Sequence, residues 1–472
     1  MTDQQTHTGD DKAAAPTAPR WLRPALGVAL LLNVAVLLFV QHYWHGDFPF
    51  QDEWGFVARL QQLPQLGVLH FLFDRYHTYY LPVLLSFWYL SYTLTHLDIE
   101  ALRYTGALVS GGVALLLVGM LYRKAPRLDK PVWLLLLFAP FVVCSLNHYM
   151  VYYQSIESVV QPFLFGMVLT AFWAADHALQ GRRALPWSAL AVGAALIGVG
   201  IYAPGLSILP AIVGAQILIQ RRLSLSSVLL ALLGVLCIGF YVHAGHGLDH
   251  PQQGPGFAPG DLVQAVKMWF GLSGNALFSP HAGRLEIITY FLGAVLLAAQ
   301  AVGLVTALRQ PPERRKALFL PVALTLYNNL VILEIVTARL HVVESGLESS
   351  FTPRYSILAL AGPVSVMFYL VMLGDLRGRL RRLGSAAFLA MALGTLAADA
   401  MIAILLPHYA AVLATVRAEL LSLQGPPDAF QTSQMTLTPT MKPLVYPGRL
   451  YLQQEHLALY RNSESAPPAD HK

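Results

Sequence analysis

Charged residues are scarce in this chain of 472 residues. Asp, Glu, Lys and Arg make up 12% of it, whereas a soluble globular protein carries about 25%. Hydrophobic residues make up 56%, and they recur in long apolar runs. The shortage of charge excludes a soluble two-domain enzyme, which the length alone would allow. The composition predicts an all-α polytopic membrane protein.

Cysteine is nearly absent as well. Cys144 and Cys237 both lie inside apolar runs, which excludes a disulfide framework and a cysteine-based metal site. The chain also lacks a P-loop, a dinucleotide-binding glycine pattern and a His-rich zinc motif. We therefore predict no metal site and no resident cofactor, and a divalent metal requirement stays open. The net charge of +5 does not indicate a nucleic-acid partner, because the basic residues lie in short loops between apolar runs.

Eleven apolar runs are long enough to cross a bilayer, since about 20 helical residues span the hydrocarbon core. They lie at 25–43, 103–122, 131–147, 158–177, 186–202, 205–220, 225–243, 286–308, 317–337, 355–374 and 384–406. Basic clusters follow residues 122, 181, 220, 308 and 376, and the positive-inside rule places all five in the cytoplasm. An even number of runs separates each cluster from the next, so all five clusters can lie on the same side of the membrane.

A twelfth apolar segment at 79–96 decides the parity. Counting it as a crossing would put the basic N-terminal tail and Arg123 on opposite sides, so we predict that 64–97 stays outside as interfacial helices. Its many Tyr and Trp residues favour the headgroup layer. The predicted fold therefore has about eleven transmembrane helices with juxtamembrane helices on the outer face. The N-terminus is cytoplasmic and the C-terminus periplasmic.

Three regions follow from this topology. Residues 1–24 are predicted to be a disordered cytoplasmic tail. Residues 25–406 form the transmembrane domain, with a large first outer loop at 44–102, a short loop at 147–157 and a Gly/Pro-rich loop at 244–285. Residues 407–472 form a small periplasmic tail, with helices predicted at 409–423 and 450–460. Polar diversity collects in the outer segments, so function is expected there.

The first outer loop carries two adjacent carboxylates, Asp52 and Glu53, just beyond the first span. The apolar spacing over 54–63 predicts a membrane-surface helix directly after them. One interpretation is a polar reaction site at the membrane surface. The alternative is that Asp52 simply caps the helix that follows.

Three further sets of outer residues are candidates for substrate contact. Arg75 and His77 could contact an anionic headgroup, or anchor the interface. Tyr153, Glu157 and Gln161 would share one face of a helix, or Glu157 would cap the next span. Arg can bind phosphate through a planar fork, so the candidates at the late loop are Arg339, Arg354 and Tyr355, with lipid snorkelling as the alternative.

Two acidic residues lie inside predicted spans. Glu334 is about one turn from Arg339, which makes an ion pair conceivable, and Asp399 stands among alanines where it could support helix packing. Ionisable residues at membrane depth normally face protein or a cavity. Neither residue indicates a specific chemistry.

The order of these features resembles the GT-C superfamily of membrane glycosyltransferases, which includes protein mannosyltransferases and the aminoarabinose transferase of lipid A. The shared pattern is a first span, an outer Asp-Glu pair, surface helices and a basic cytoplasmic turn. The resemblance implies that Asp52 is the catalytic or acceptor-orienting carboxylate, that Glu157 is a second acid, and that Arg354 and Tyr355 match the late Arg-Tyr. The His-Pro-Pro segment of several relatives is replaced here by 76–82, and the large soluble C-terminal domain of oligosaccharyltransferases is absent.

The hypothesis is therefore an inverting transfer of a sugar from a polyprenyl-phosphate donor to a glycan, lipid or protein acceptor, outside a bacterial inner membrane. Asp52 would be the base, oriented by Glu53 or Glu157, with Arg75, Arg339 and Arg354 on the phosphate. One alternative is a transporter or flippase of a lipid-linked saccharide, which would need polar residues through both leaflets. Another is a non-catalytic assembly subunit. The donor sugar, the acceptor and the oligomeric state stay open.

Overall fold

A computed structural model describes residues 19–44, 47–50, 53–73, 81–125, 130–181, 184–245, 259–279, 285–340, 355–373, 379–422 and 442–460. Every regular element within these ranges is a helix. The helices are α1 (Leu22–Trp44), α2 (Glu53–Leu66), α3 (Val68–Phe73), α4 (Pro82–Thr95), α5 (Ile99–Lys124), α6 (Lys130–Val143), α7 (Tyr149–Tyr153), α8 (Ser155–Leu179), α9 (Ala184–Ile201), α10 (Ile208–Gln220), α11 (Leu225–Gly245), α12 (Pro259–Asn275), α13 (Glu286–Leu308), α14 (Pro312–Ala317), α15 (Phe319–Arg339), α16 (Ala361–Met372), α17 (Arg379–Ser422) and α18 (Lys442–Gln454). Short 3₁₀ helices cover Leu146–His148, Ala203–Ser207 and Ala458–Tyr460.

Nine helical segments of the described chain are long and apolar enough to cross a membrane. They are Leu22–Trp44, Ile99–Lys124, Pro131–Tyr153, Ser155–Leu179, Ala184–Ile201, Ala203–Gln220, Glu286–Leu308, Phe319–Ala338 and Arg382–Ser422. Two shorter apolar helices, Leu225–Tyr241 and Ala361–Met372, fall in the two remaining predicted spans. The chain is thus a helical, multi-pass membrane protein, and the total of eleven crossings stays a prediction.

Basic residues that follow the apolar helices α5, α10 and α13 lie at one end of the bundle, which we call the basic end. Lys124, at the end of α5, pairs with Asp176 near the end of α8. Farther along the chain, Arg221 after α10 donates to the carbonyl oxygen of Leu308 at the end of α13 (3.1 Å). The opposite end of the bundle, where Trp44 and Ser155 lie, is called the site end.

Helix α4 has both of its termini at the site end. Its first turn packs against Gly200 near the end of α9, where a Cβ would lie 2.7 Å from Val83. Beyond its last turn, the carbonyl oxygen of His96 accepts a hydrogen bond from the Ala458 amide (3.3 Å). The prediction that 64–97 stays on the outer side of the membrane remains a prediction, and residues 74–80 of that segment lie outside the described ranges.

Two elements differ from the sequence prediction. The segment 244–285, predicted as a loop, contains α12, which packs along α13 at the close approach of Gly274 to Gly293. The predicted helix at 409–423 is not separate, because α17 continues through Pro407 to Ser422. At 1.5 Å per residue, its 44 residues extend about 66 Å, roughly twice the thickness of a bilayer core. Its last turns therefore project beyond the bundle at the site end.

The C-terminal segment packs back onto the first loop between spans. In α18, Gly448 lies against the indole of Trp54, where a Cβ would be 3.1 Å from the ring. The carbonyl oxygen of Pro447 accepts a hydrogen bond from Gln61 (2.9 Å). Arg417 of α17 donates two hydrogen bonds to Asp47 (2.9 and 3.0 Å). The predicted tail is thus part of the framework around α2.

Candidate functional site

The site is built around residues 145–157, which we call the hub segment. The hub segment connects the apolar helices α6 and α8 at the site end. Ser145 accepts a hydrogen bond from the Asn147 amide (3.1 Å), which starts a short 3₁₀ helix. Gln154 has extended backbone (φ −84°, ψ 119°) and separates α7 from α8. This break leaves the first amide groups of α8 free to bind a carboxylate.

Glu53 fills that position. It is 1% exposed, and its Oε1 accepts hydrogen bonds from Ser155 Oγ (2.6 Å) and the Ile156 amide (3.0 Å). Its Oε2 accepts from the Phe50 amide (2.7 Å). Burial raises the pKa of Glu53 above its ordinary value of 4.5, and the hydrogen bond from Ser155 and the charge of Arg103 oppose that rise. With three donors already bound, Glu53 positions the start of α2 against the start of α8.

Arg103, in the second turn of α5, supplies the nearby positive charge. It is 1% exposed, and its Nη2 donates to the carbonyl oxygen of Tyr153 (2.6 Å), the last residue of α7. Its guanidinium is electrostatically coupled to Glu53. Sequence reasoning missed Arg103, and the available signal was an arginine inside an apolar run on the side of the bundle away from the basic loops.

Glu157 and Gln161 share a face of α8, as the spacing predicted. Gln161 Nε2 donates to Glu157 Oε2 (2.8 Å), and Glu157 lies in the first turn of the helix. Tyr153 does not continue that face, because the extended residue Gln154 separates the two helices. The prediction of one face for all three residues is therefore wrong for Tyr153.

Tyr153 instead lies at the centre of an aromatic cluster, defined as Trp44, Phe50, Tyr149, Tyr153 and Tyr409. Its ring centroid is 4.3 Å from Trp44, 6.0 Å from Phe50, 5.6 Å from Tyr149 and 5.6 Å from Tyr409. Tyr149 and Tyr409 are stacked at 5.1 Å. The cluster joins α1, the segment before α2, the hub segment and α17, because each of these contributes at least one ring.

Four more hydrogen bonds converge on the first half of the hub segment. Asp399 Oδ1 accepts from Ser145 Oγ (2.6 Å) and the Leu146 amide (2.8 Å), so this acid of α17 supports the hub. Asn147 donates to the carbonyl oxygen of Asn275 (2.7 Å) and accepts from the Ser279 amide (2.7 Å). These contacts fix the end of α12 and the middle of α17 to the turn between α6 and α8.

The late loop reaches the same segment through His148. Nε2 of His148 lies 3.1 Å from the carbonyl oxygen of Val142, and Nδ1 lies 2.6 Å from Ser356 Oγ. In a neutral imidazole Nε2 is then the donor and Nδ1 accepts from the Ser356 hydroxyl. Tyr355, the neighbour of Ser356, is buried. The late loop therefore contacts the hub segment through Ser356, the residue that follows Tyr355.

Several predicted site residues are not covered by the structure. Asp52, Arg75, His77 and Arg354 lie outside the described residues. Arg339 ends α15, but its side chain is also outside them, so the pairing with Glu334 stays a prediction. Of the predicted site residues that are described, Tyr153 and Glu157 lie in the hub segment, Glu53 is hydrogen-bonded to it, and Tyr355 precedes Ser356, which contacts it.

Among the described residues, no group of three or more His, Cys, Asp or Glu side chains could hold a metal ion. The chemistry available there is carboxylate, guanidinium, hydroxyl and aromatic. Comparison of the chain with family models, with curated proteins and with solved structures gives no match. The assignment of function therefore rests on the residues and geometry of the site end.

Proposed function

We propose that this protein is an inverting glycosyltransferase that moves a sugar from a polyprenyl-phosphate donor to an acceptor at the site end, with Asp52 as the base. One observation carries the proposal. Glu53, the second residue of the Asp-Glu pair, is hydrogen-bonded to the first turn of α8, which also carries Glu157. The segment with the Asp-Glu pair and the segment with Glu157 are thus in contact, and the resemblance to GT-C enzymes requires these two segments to lie together.

The roles in the reaction follow from what each residue can still do. Glu53 and Arg103 are buried and engaged with protein groups, so they are positioning residues. Asp52 is one peptide bond from Glu53, and anchoring Glu53 restricts where the Asp52 carboxylate can lie. Glu157 stands in the first turn of α8 with Gln161 as its partner, where it can orient the acceptor hydroxyl.

The chemistry is a single displacement. The acceptor oxygen forms a bond to the anomeric carbon, the bond from that carbon to the phosphate oxygen breaks, and the acceptor proton passes to Asp52. Because the lipid phosphate leaves as a stable anion, no general acid is needed. Arg75, Arg339 and Arg354 are the candidates for stabilising its developing charge. Attack opposite the leaving group predicts inversion at the anomeric carbon.

The distribution of charge supports the membrane orientation of this proposal. Basic residues at the basic end are expected in the cytoplasm by the positive-inside rule. The site end would then face the periplasm of a bacterial inner membrane, with the donor phosphate at headgroup depth. Polyprenyl-phosphate sugars are suited to such a site, since their lipid chain keeps the anomeric carbon close to the surface.

The test is transfer by the purified protein, with radiolabelled polyprenyl-phosphate hexoses and pentoses as donors and a membrane extract as the acceptor source. We expect wild-type protein to transfer at least one sugar, and Asp52→Asn to be at least about 100-fold slower, as loss of a general base predicts. Glu286→Gln is the matched control, because Glu286 is also an acid in the first turn of a site-end helix. Near wild-type transfer by Asp52→Asn would remove Asp52 from the base role.

A second measurement separates transfer from transport. Mass analysis of cell-envelope glycans after deletion of the gene should show the loss of one sugar and a shorter glycan. Accumulation of a complete lipid-linked saccharide on the cytoplasmic side would instead support a flippase and contradict the proposal.

A further inference from the structure

Two turns that are distant in sequence interlock at the basic end. The first follows α10 and comprises residues 221–224, and the second comprises residues 309–317 between α13 and α15. Arg221 of the first turn donates to the carbonyl oxygen of Leu308 (3.1 Å). Arg315 of the second turn, which is buried, donates through Nε to the carbonyl oxygen of Ile219 (2.7 Å). Each connecting turn thus donates a hydrogen bond to a carbonyl group at the C-terminal end of the helix that precedes the other connecting turn.

The interlocked turns carry four exposed cations besides Arg221. Arg222, Arg309, Arg314 and Lys316 are exposed, and none has an ion-pair partner within the described part of the chain. Glu313 is the one acidic residue in the two turns. Since Arg221 and Arg315 are used to fix the two backbones, the other four cations are held in two adjacent turns although about 90 residues of sequence separate those turns.

Large apolar side chains stand exposed beside these cations. Leu223 is 70% exposed and Leu225 is 76% exposed, at the start of α11. Cations next to exposed leucines at the ends of apolar helices match an anionic phospholipid, whose phosphate is adjacent to its acyl chains. An acidic protein partner would not need the leucines. The helices that carry the turns, α10, α11, α13 and α15, are apolar, so their ends lie where headgroups are expected.

We infer that the interlocked turns form a binding site for the phosphate of an anionic phospholipid headgroup. In this site the cations of the two turns, Arg222, Arg309, Arg314 and Lys316, attract and contact the headgroup phosphate from the two adjacent turns, while Leu223 and Leu225 lie against the acyl chains. Arg221 and Arg315 are positioning residues, because their guanidinium groups are engaged with backbone carbonyls. The site is independent of the proposed transferase chemistry and lies at the other end of the bundle.

The test measures the affinity of the full chain in neutral detergent for fluorescent phosphatidylglycerol. The variant R222Q/R309Q/R314Q/K316Q removes four exposed cations and should weaken binding at least tenfold. The matched control removes four exposed cations elsewhere, at positions described by the structure: R20Q/R23Q/R123Q/R382Q. We expect the control to change the Kd less than twofold. Equal weakening in both variants would overturn the proposal, because it would show attraction by net charge alone.

Two further arms identify the ligand. Phosphatidylcholine should bind at least tenfold more weakly than phosphatidylglycerol, and Leu223→Ser/Leu225→Ser should weaken phosphatidylglycerol binding while all cations are kept. Inorganic phosphate should not displace the lipid at equal concentration. Displacement by phosphate, or no effect of the leucine variant, would show a site for free anions and would overturn the assignment to a lipid.

Discussion

The hydroxyl of Ser155 and the carboxylate of Glu53 form a hydrogen bond of 2.6 Å across 102 residues of sequence. The bond joins the first residue of α2 to the first residue of α8. Together with the amides of Phe50 and Ile156, it satisfies both oxygens of a buried carboxylate. The polar part of the contact between the first loop and the hub segment therefore depends on this one carboxylate, beside the aromatic contact of Phe50 with Tyr153.

Replacing Glu53 with alanine should destabilise the protein strongly. The substitution leaves the Ser155 hydroxyl and two amides without their acceptor, and each unsatisfied buried donor costs about 1–3 kcal/mol. It also removes the negative charge nearest to Arg103. We expect a loss of about 3 kcal/mol or more, measured as a lower Tm of the detergent-solubilised protein. Glu53→Gln keeps the shape and one acceptor, so its loss should be smaller.

The control for that experiment is Glu286→Ala. Glu286 is also the first residue of a helix at the site end, and no hydrogen bond to its side chain is found among the described residues. Its replacement should change stability by no more than about 0.5 kcal/mol, as for ordinary surface positions. If Glu53→Ala and Glu286→Ala lower the Tm equally, the buried contacts of Glu53 do not hold the site together.

The raised pKa of Glu53 predicts a specific dependence of stability on pH. Burial raises this pKa above 4.5 in the folded protein, so between 4.5 and the raised value the folded chain keeps a proton that the unfolded chain has lost. By linkage, the stabilising contribution is fully present below pH 4.5 and is lost as pH rises through that interval. The Tm of wild type minus the Tm of Glu53→Gln, measured from pH 4 to 8, should therefore decrease as pH rises. A constant difference, or one of opposite sign, would contradict the shift.

Arg103 and Glu53 should show energetic coupling in a double-mutant cycle. Removing one partner of a buried charge pair leaves the other uncompensated, whereas replacing both can be nearly neutral. Arg103→Met should therefore cost more in wild type than in Glu53→Gln, with a coupling of at least about 1 kcal/mol. Chemical or thermal unfolding of the four proteins gives this value.

Lys124 provides the comparison for the cycle. It lies at the other end of α5 and pairs with Asp176, away from Glu53. Lys124→Met and Glu53→Gln should be additive within about 0.5 kcal/mol, as expected for distant sites. Coupling as large as that of Arg103 would indicate a general loss of cooperativity and would remove the specific role of Arg103.

The spans could be predicted from sequence because apolar runs and basic loops are local signals. Each of the eleven predicted runs contains an apolar helix, and 286–308 has the same bounds in the structure. Two long-range features were not predictable in that way. The length of α17 depends on two contacts beyond the bundle, the stacking of Tyr409 on Tyr149 and the hydrogen bond from Arg417 to Asp47. Helix α12 is too polar for a span pattern, and its place depends on contact with α13.

The candidate site was predictable only in outline. The Asp-Glu pair, Glu157 and Tyr355 were found as local polar residues beside apolar runs. The structure joins Glu53 to the hub segment, which contains Glu157, and joins Ser356, the neighbour of Tyr355, to the same segment. The partners of those residues were not found, because Ser155 carries no local pattern and the signal of Arg103, an arginine inside an apolar run, does not name its partner. The sequence alone does not show that a charged residue of a span is buried against a partner until that partner is known.

The contact between α12 and α13 gives a last prediction. A Cβ at Gly274 would overlap the carbonyl oxygen of Thr289, and a Cβ at Gly293 would overlap that of Phe270. The obstacles are backbone atoms, so Gly274→Ala and Gly293→Ala must separate the helices, at a cost of about 1–3 kcal/mol each. Gly112→Ala is the control, since a Cβ there meets nothing within 4 Å; it should be neutral or stabilise α5 by up to about 1 kcal/mol. Equal Tm values for all three variants would show that α12 does not pack on α13 through these glycines.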